Sequence, residues 1–413
     1  MGDESLTKAN GVEGHKVCWP SAGRLGIPRQ AWLAVLSVAL GIFTLMTTEL
    51  LPVGLLPAIA TTQGISVGTA GLVVTAPGVV AAFTAPLLMV VAGRIDRRLL
   101  LCGFMALLAM ANSASAIAPN FLILLTARVA VGLCIGGFWA IAGGLAVRFV
   151  PERSVGLATS LIFGGVSAAS VLGIPGGTLI GEWIGWRSAF LVLAILSAAV
   201  FGTLFVLLPP LPSNQVIRLR TLLLQFDNRD VVVGLTLTFL LICGQFSAYT
   251  YISPALQQIA GVDAGLIGGL LMLYGCAGIA GNFAAGLAAV RNLRRTVLSI
   301  AFVLAATVLL LPALGRGTVH GIVLAGLWGL AYGGVSVSLQ TWVLKAAPKS
   351  TEAATALFVS VFNLSVALGA LVGGVAADTA GIMSPMWLSG FFFLLATIVL
   401  VNPRWATLPQ PGS

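Results

Sequence analysis

The chain has 413 residues, of which 58% are hydrophobic and 8% charged, with a net charge of +9 and a mean hydropathy of +1.06. Soluble domains carry about 25% charged residues, so this composition excludes a soluble protein and points to a polytopic membrane one. The long apolar runs lack the alternation of a β-barrel, which leaves helices to cross the bilayer, and the basic residues lie scattered in short loops, which excludes a nucleic-acid surface.

Residues 1–30 form a polar N-terminal tail. It lacks the short apolar core and cleavage site of a signal peptide, so the first span is expected to be retained. Twelve apolar stretches follow, each of roughly 20 residues, enough to cross ~30 Å of hydrocarbon. The first six are 31–53, 67–92, 99–118, 121–147, 156–180 and 188–208, an N-terminal six-helix bundle over 31–208. A polar break at 209–230 reads Pro-Pro-Leu-Pro and then carries Arg218, Arg220, Asp227, Arg229 and Asp230. The second six are 231–252, 264–289, 296–314, 319–344, 353–377 and 384–401, a C-terminal bundle over 231–401, with 402–413 as a tail. The expected fold is an all-α membrane protein of 12 transmembrane helices in two six-helix pseudo-repeats.

Eighteen of the 21 lysines and arginines fall on alternate boundaries of these spans. They include Arg94, Arg97 and Arg98, Arg148 and Arg153, Arg291, Arg294 and Arg295, and Lys345 and Lys349. This bias places both termini and the central loop in the cytoplasm. The second and third spans are joined by Arg94-Ile95-Asp96-Arg97-Arg98, and the eighth and ninth by Arg291-Asn292-Leu293-Arg294-Arg295. Two basic loops at equivalent positions are the mark of an internal duplication around a central site, although every cytoplasmic loop tends to be basic.

Two clear charges remain inside the spans, Glu49 and Arg128. Charges at membrane depth are costly and are functional candidates by default. Glu49 stands in Thr47-Thr48-Glu49-Leu50-Leu51-Pro52, near the outer end of the first span. A buried carboxyl that gains and loses a proton is what a proton-coupled carrier needs. The alternative is a water-exposed Glu at a span that Pro52 ends. Arg128 lies about 7 residues into the fourth span, ~10 Å deep at 1.5 Å per residue. It either neighbours Glu49 or holds helices together through backbone carbonyls. Gly132 and Gly136, one turn apart, allow close helix contact.

In the fifth span Gly173, Gly177 and Gly181 recur at spacing four around Pro175, a packing face first and a sliding seam second. Asp96 is the one acid in its loop and a candidate cap for a helix N-terminus, with the eleventh span near Ser350-Thr351-Glu352 as the candidate partner. Interior polar and aromatic residues of the second half are Gln245, Tyr249, Asn282, Gln340, Trp342 and Asn363. They bond between helices or line a cavity. Gln245, Tyr249, Gln340, Trp342 and Asn363, with Thr48 beside Glu49, are the candidate substrate residues.

The five cysteines, Cys18, Cys102, Cys134, Cys243 and Cys276, have no metal-ligand spacing and read as free thiols. His15 and His320 lie outside the spans, so neither a His metal site nor a His relay is expected. No P-loop, nucleophile–base pair or soluble catalytic domain is present, so no enzyme activity, cofactor or metal is expected, and a proton gradient is the expected energy source.

Four segments resemble the major facilitator superfamily, in its bacterial drug:proton antiporter branch with arabinose-efflux-like and purine-ribonucleoside-efflux-like permeases. They are Thr48 to Pro57, Gly93 to Arg98, Gly173 to Gly177 with Gly185-Trp186-Arg187, and Gln340 to Leu344 leading to Phe362-Asn363. The likeness covers about residues 31–401. It implies a bacterial inner-membrane antiporter that exports small molecules, drugs among them, by alternating access. It further implies a cytoplasmic latch at Asp96 and Arg97, help from Arg128 in proton handling, an antiporter signature at Gly173, Pro175 and Gly177, and a monomer whose partners are protons, substrate and lipid. Two readings stand beside it: an uncoupled facilitator or importer of sugars or nucleosides, and a non-transporting membrane sensor.

Overall fold

The structure is a computed structural model, and it describes residues 29–91, 95–142, 145–212, 224–314, 318–348 and 350–402. The N-terminal tail with His15 and Cys18, the loop residues Gly93 and Arg94, Arg218 and Arg220 of the central break, Arg316, Lys349 and the tail from residue 403 lie outside the described residues. Among the described residues every regular element is helical.

The first half begins with α1 (Arg29–Gln63), 35 residues long. It runs past Pro52 and Pro57 to Gln63, so the expected end at residue 53 falls well short. A short α2 (Val67–Ala70) is capped by Ser66 and continues into α3 (Leu72–Val91). Then come α4 (Arg97–Ala116), α5 (Phe121–Ala142) and a single turn, α6 (Ala146–Phe149). The fifth span is α7 (Glu152–Ala168), a π turn at Ala169–Gly173 and α8 (Ile174–Ile184). Pro175 follows that turn and supplies no N–H to it; widened turns of this kind absorb such a gap. The half closes with α9 (Trp186–Leu207).

The second half has α10 (Arg229–Tyr249), α11 (Ile252–Ala260), α12 (Ala264–Leu314), α13 (Thr318–Ala346), α14 (Thr351–Ala380) and α15 (Ser384–Val401). Hydropathy predicts separate spans at 264–289 and 296–314. The stretch α12 holds both as two helical pieces, separated at Asn292, whose backbone turns non-helical at φ −156°, ψ 95°. The Asn292 side chain accepts the Arg295 N–H at 3.0 Å and so caps the second piece. Among the described residues eleven helices, α12 counted once, are long and apolar enough to cross a membrane.

The geometry repeats along the chain. The four glycines with positive φ form two pairs, Gly64 with Gly261 (65° and 63°) and Gly185 with Gly381 (105° and 84°). The spacing in sequence is the same for both pairs to within a single position. Arg98 donates from α4 to the Phe205 carbonyl near the end of α9. Arg294 donates to the Val401 carbonyl at the end of α15. Arg294 follows Arg98, and Val401 follows Phe205, by the same interval that separates Gly185 from Gly381. The same backbone bends and the same arginine tie recur in each half at one offset.

Within the first half, the glycine stripe sits on α1. A Cβ at Gly173, Gly177 or Gly181 would strike Thr47, Leu51 or Leu55 in turn. Each pair is one helical turn on from the last in both helices, so the two run parallel in register. Gly132 of α5 packs on Pro77 and Val80 of α3, and Gly136 on Ala81 and Thr84. Between halves, α3 lies along α14, with Gly78 against Asn363 and Ala367, while Gly275 of α12 meets Ser170 at the π turn. At the end away from the termini, the Asp378 carboxylate of α14 takes hydrogen bonds from the Ser66 hydroxyl and the Gly68 N–H. The neighbouring Tyr251 hydroxyl donates to the Ala370 carbonyl.

Two adjacent glycines provide a test of this packing. Gly177→Val overpacks Leu51 and is expected to cost about 1–3 kcal/mol. Gly176 has open space where its Cβ would be, so Gly176→Ala is expected to hold or raise stability. Melting temperatures of the two purified variants check this, and equal losses would refute the register.

Candidate functional site

The site centres on the middle of α1. Fourteen residues of helix follow Glu49, about 21 Å at 1.5 Å per residue, and its side chain is 6% exposed. The water-exposed boundary position is therefore excluded. Its Oε2 has no hydrogen-bond partner.

Arg128 of α5 is fully buried beside it. The guanidinium does not grip the Glu49 carboxylate. Its Nε donates to the Val73 carbonyl at 2.9 Å, Nη1 to the Thr48 carbonyl at 3.0 Å and Nη2 to the Glu49 backbone carbonyl at 3.2 Å. Arg128 thus neighbours Glu49 and also ties helices through backbone carbonyls. Thr48 is held from a second side. Its hydroxyl accepts from Asn112 Nδ2 of α4 at 3.1 Å, and the same nitrogen reaches Ser197 of α9 at 3.3 Å. Thr48 thus sits inside the first half, and Asn112, missed in the sequence, completes its surroundings.

Across from Glu49, the second half presents an aromatic cluster. Gln245 of α10 is fully buried. Its Nε2 donates to the Tyr274 hydroxyl at 2.7 Å, and its Oε1 accepts from Trp328 Nε1 at 2.7 Å. Tyr249 lies 4.9 Å from Tyr274 and 6.2 Å from Trp328, ring centre to ring centre, and Tyr332 lies 6.4 Å from Tyr274. Tyr332 also lies within electrostatic reach of Glu49. Gln245 follows Glu49 by the interval that relates Arg98 to Arg294, so it holds the corresponding place in the repeat. The sequence pattern marks Gln245 and Tyr249 but not Tyr274, Trp328 or Tyr332. One signal for them is present: all four tyrosines of the chain fall in the second half.

The remaining candidates lie elsewhere. Trp342 is fully buried, donates to the Asp230 carbonyl at 3.2 Å and packs on Gly234. Fourteen residues, or ~21 Å of helix, separate it from Trp328. Gln340 is half-buried, about 12 Å along α13 from Tyr332. Asn363 bonds the Val359 carbonyl of its own helix at 2.8 Å, where α3 meets α14. Gly173, Pro175 and Gly177 serve the α1 contact and the π turn.

Asp96 does cap a helix N-terminus, but its own. It accepts from the Arg98 N–H at 2.7 Å and from the Leu211 N–H at 3.0 Å, while the Arg97 N–H donates to the Leu211 carbonyl at 3.0 Å. The expected partner at the start of the eleventh span is replaced by the segment after α9. Burial lowers the pKa of the nearby Arg148, and the Asp96 carboxylate opposes that shift. Arg148 donates to the Pro212 carbonyl at 2.6 Å.

The position of Trp342 leads to a measurable expectation. Trp342→Phe removes one hydrogen bond, worth about 0.5–1.5 kcal/mol, and is expected to lower the melting temperature slightly without changing substrate affinity. A change in affinity at unchanged stability would put Trp342 in the substrate path.

The sequence matches the Major Facilitator Superfamily over residues 38–356 and 235–413. It is 35% identical over 380 residues to the purine ribonucleoside efflux pump NepI of Salmonella paratyphi B, covering 91% of this chain and 94% of that protein. It is 32% identical over 379 residues to the transcription regulatory protein OpdE of Pseudomonas aeruginosa, covering 90% and 93%. Among solved structures it resembles a mutant of the nucleoside transporter NupG, with a TM-score of 0.71 at 14% identity over 88% of this chain and 98% of that one. It also resembles the human organic anion transporter MFSD10, with a TM-score of 0.64 at 20% identity over 90% and 100%. With its two matching helical halves and this extent of similarity, the chain belongs to the major facilitator superfamily.

Proposed function

We propose that this protein is a proton-coupled exporter of purine nucleosides or similar planar, polar molecules, crossing the inner membrane 12 times with both termini in the cytoplasm. The observation that carries the reading is a buried Glu49 carboxyl in the first half within electrostatic reach of Tyr332, a member of an ordered aromatic cluster in the second. Aromatic rings hold a flat heterocycle by stacking, worth about 1–3 kcal/mol per base. Gln245 fixes Tyr274 and Trp328 in place, which lowers the ordering cost of binding. A carboxyl at this depth carries charge across the cycle at low cost only when it is protonated in one state and ionised in the other. The Asp378 bonds close the end assigned to the outside, so the arrangement suits loading from the cytoplasm. The likeness to NepI supports both the direction of transport and the substrate class.

The name of OpdE raises a second reading, a membrane component that affects gene expression without carrying a substrate. Flux measurements separate the two. In proteoliposomes with a trapped pH dye, a purine nucleoside is expected to drive proton movement through the wild-type protein. In Glu49→Gln that movement is expected to vanish while nucleoside counterflow persists, because exchange of substrate needs no proton step. Undiminished proton flux in Glu49→Gln would remove Glu49 from the coupling. Absence of both flux and counterflow in the wild type, with purines and with other small polar compounds, would favour the OpdE-like reading.

A further inference from the structure

The choice of carbonyls bound by Arg128 has a local cause. In an α-helix the N–H of each residue bonds the carbonyl four residues earlier. Pro52 has no N–H, so the Thr48 carbonyl lacks its helical donor, and Pro77 does the same to the Val73 carbonyl. Both prolines lie inside continuous helices, α1 and α3. Arg128 donates to these two carbonyls, one on each helix, and its third bond goes to Glu49, the next carbonyl on the same turn of α1. One side chain fills two proline gaps at once. Gly132, one turn further along α5, makes this reach possible, because its missing side chain lets α5 press onto Pro77.

The second half acts as an internal control. At the offset that relates Glu49 to Gln245, Pro52 corresponds to Ala248, Pro77 to Leu273 and Arg128 to Leu324. Where the repeat has no prolines to leave gaps, it has no arginine to fill them.

We propose that Arg128 is a positioning residue: it replaces the two hydrogen bonds deleted by Pro52 and Pro77, holds the turn of α1 that carries Glu49, and does not itself pass the transported proton. The last part rests on Glu49 being the proton site; the proline link stands without it. In this arrangement the guanidinium keeps its carbonyl partners whether the carboxyl is protonated or ionised, so the frame of the site holds steady while Glu49 changes charge.

Suppression by the prolines tests this. The full-length protein is compared as wild type, Arg128→Ala, and Arg128→Ala combined with Pro52→Ala and Pro77→Ala, which restore the missing N–H groups. The readouts are melting temperature, counterflow of a radiolabelled purine nucleoside, and the pH profile of substrate-driven proton flux. Arg128→Ala is expected to lose several degrees of stability and at least tenfold in counterflow. The triple variant is expected to regain most of both, with the pH profile of the wild type. If Arg128→Ala does not reach the membrane, removing Arg128 from the Pro52→Ala/Pro77→Ala background asks the same question, and a change below about twofold is expected there. No rescue of melting temperature, or a large loss in the proline-free background, overturns the proline link. Rescued stability and counterflow with proton flux still absent or its pH profile displaced overturns the positioning role and returns Arg128 to the proton path. Glu49→Gln run in parallel keeps the two ideas apart. If it retains proton flux, the Glu49 reading fails, while melting-temperature suppression still decides the proline link.

Discussion

A guanidinium buried away from water must be given acceptors, and the arrangement of the first half follows from how that demand is met at Arg128. An unpaired carbonyl in an apolar interior costs about 1–3 kcal/mol, and a hydrogen bond involving a charged group contributes about 1.5–3 kcal/mol. The two proline-freed carbonyls and the buried cation are each unfavourable alone, and each removes the other's penalty. Meeting them fixes the distances among α1, α3 and α5. Asn112 and the glycine stripe then hold α1 from its remaining sides. Glu49 is placed by this frame rather than by any bond to its own carboxylate.

The two halves have kept the same backbone and divided the chemistry. The repeat is visible in the paired positive-φ glycines and in the arginine ties to Phe205 and Val401. Yet the position of Glu49 in one half is Gln245 in the other. A neutral amide both donates and accepts, and here it does so to Tyr274 and Trp328 at once. The first half offers an ionisable group in a rigid frame, and the second an ordered aromatic face. Where they meet, Tyr332 lies 6.4 Å from Tyr274, ring centre to ring centre, and within electrostatic reach of Glu49.

Much of the fold is legible in the sequence because a bilayer sorts charge from apolar residues along the chain, so composition alone bounds most spans. The exceptions have local causes. Pro52 reads as the end of the first span, but α1 continues through it, and the Thr48 carbonyl takes a hydrogen bond from Arg128, far away in sequence. At the site, Glu49 and Arg128 stand out as isolated charges. Tyr274, Trp328 and Tyr332 do not, since aromatic residues in an apolar run look like any other hydrophobic side chain until the fold brings them around Gln245. Asp96 is recognisable as a cap, but its partners, Arg98 and Leu211, include a distant contact across the half that no sequence pattern marks.

The contacts between halves favour motion of rigid bodies over deformation within either one. Glycines line part of the interface, Gly78 and Gly275 among them, where backbones approach closely. Its polar links at Asp378 are hydrogen bonds to an exposed hydroxyl and a helix-start N–H, groups that water can replace on that end. Inside the first half, the ties of Arg128 have no such substitute, because they are fully buried. The two hydrogen bonds at the Asp378 end are therefore exchanged for water more readily than those of Arg128. A transport cycle on this scaffold would rock one bundle against the other and leave the geometry around Glu49 intact, so that the environment of the carboxyl changes through exposure and through the approach of the aromatic cluster, not through rearrangement of its own supports.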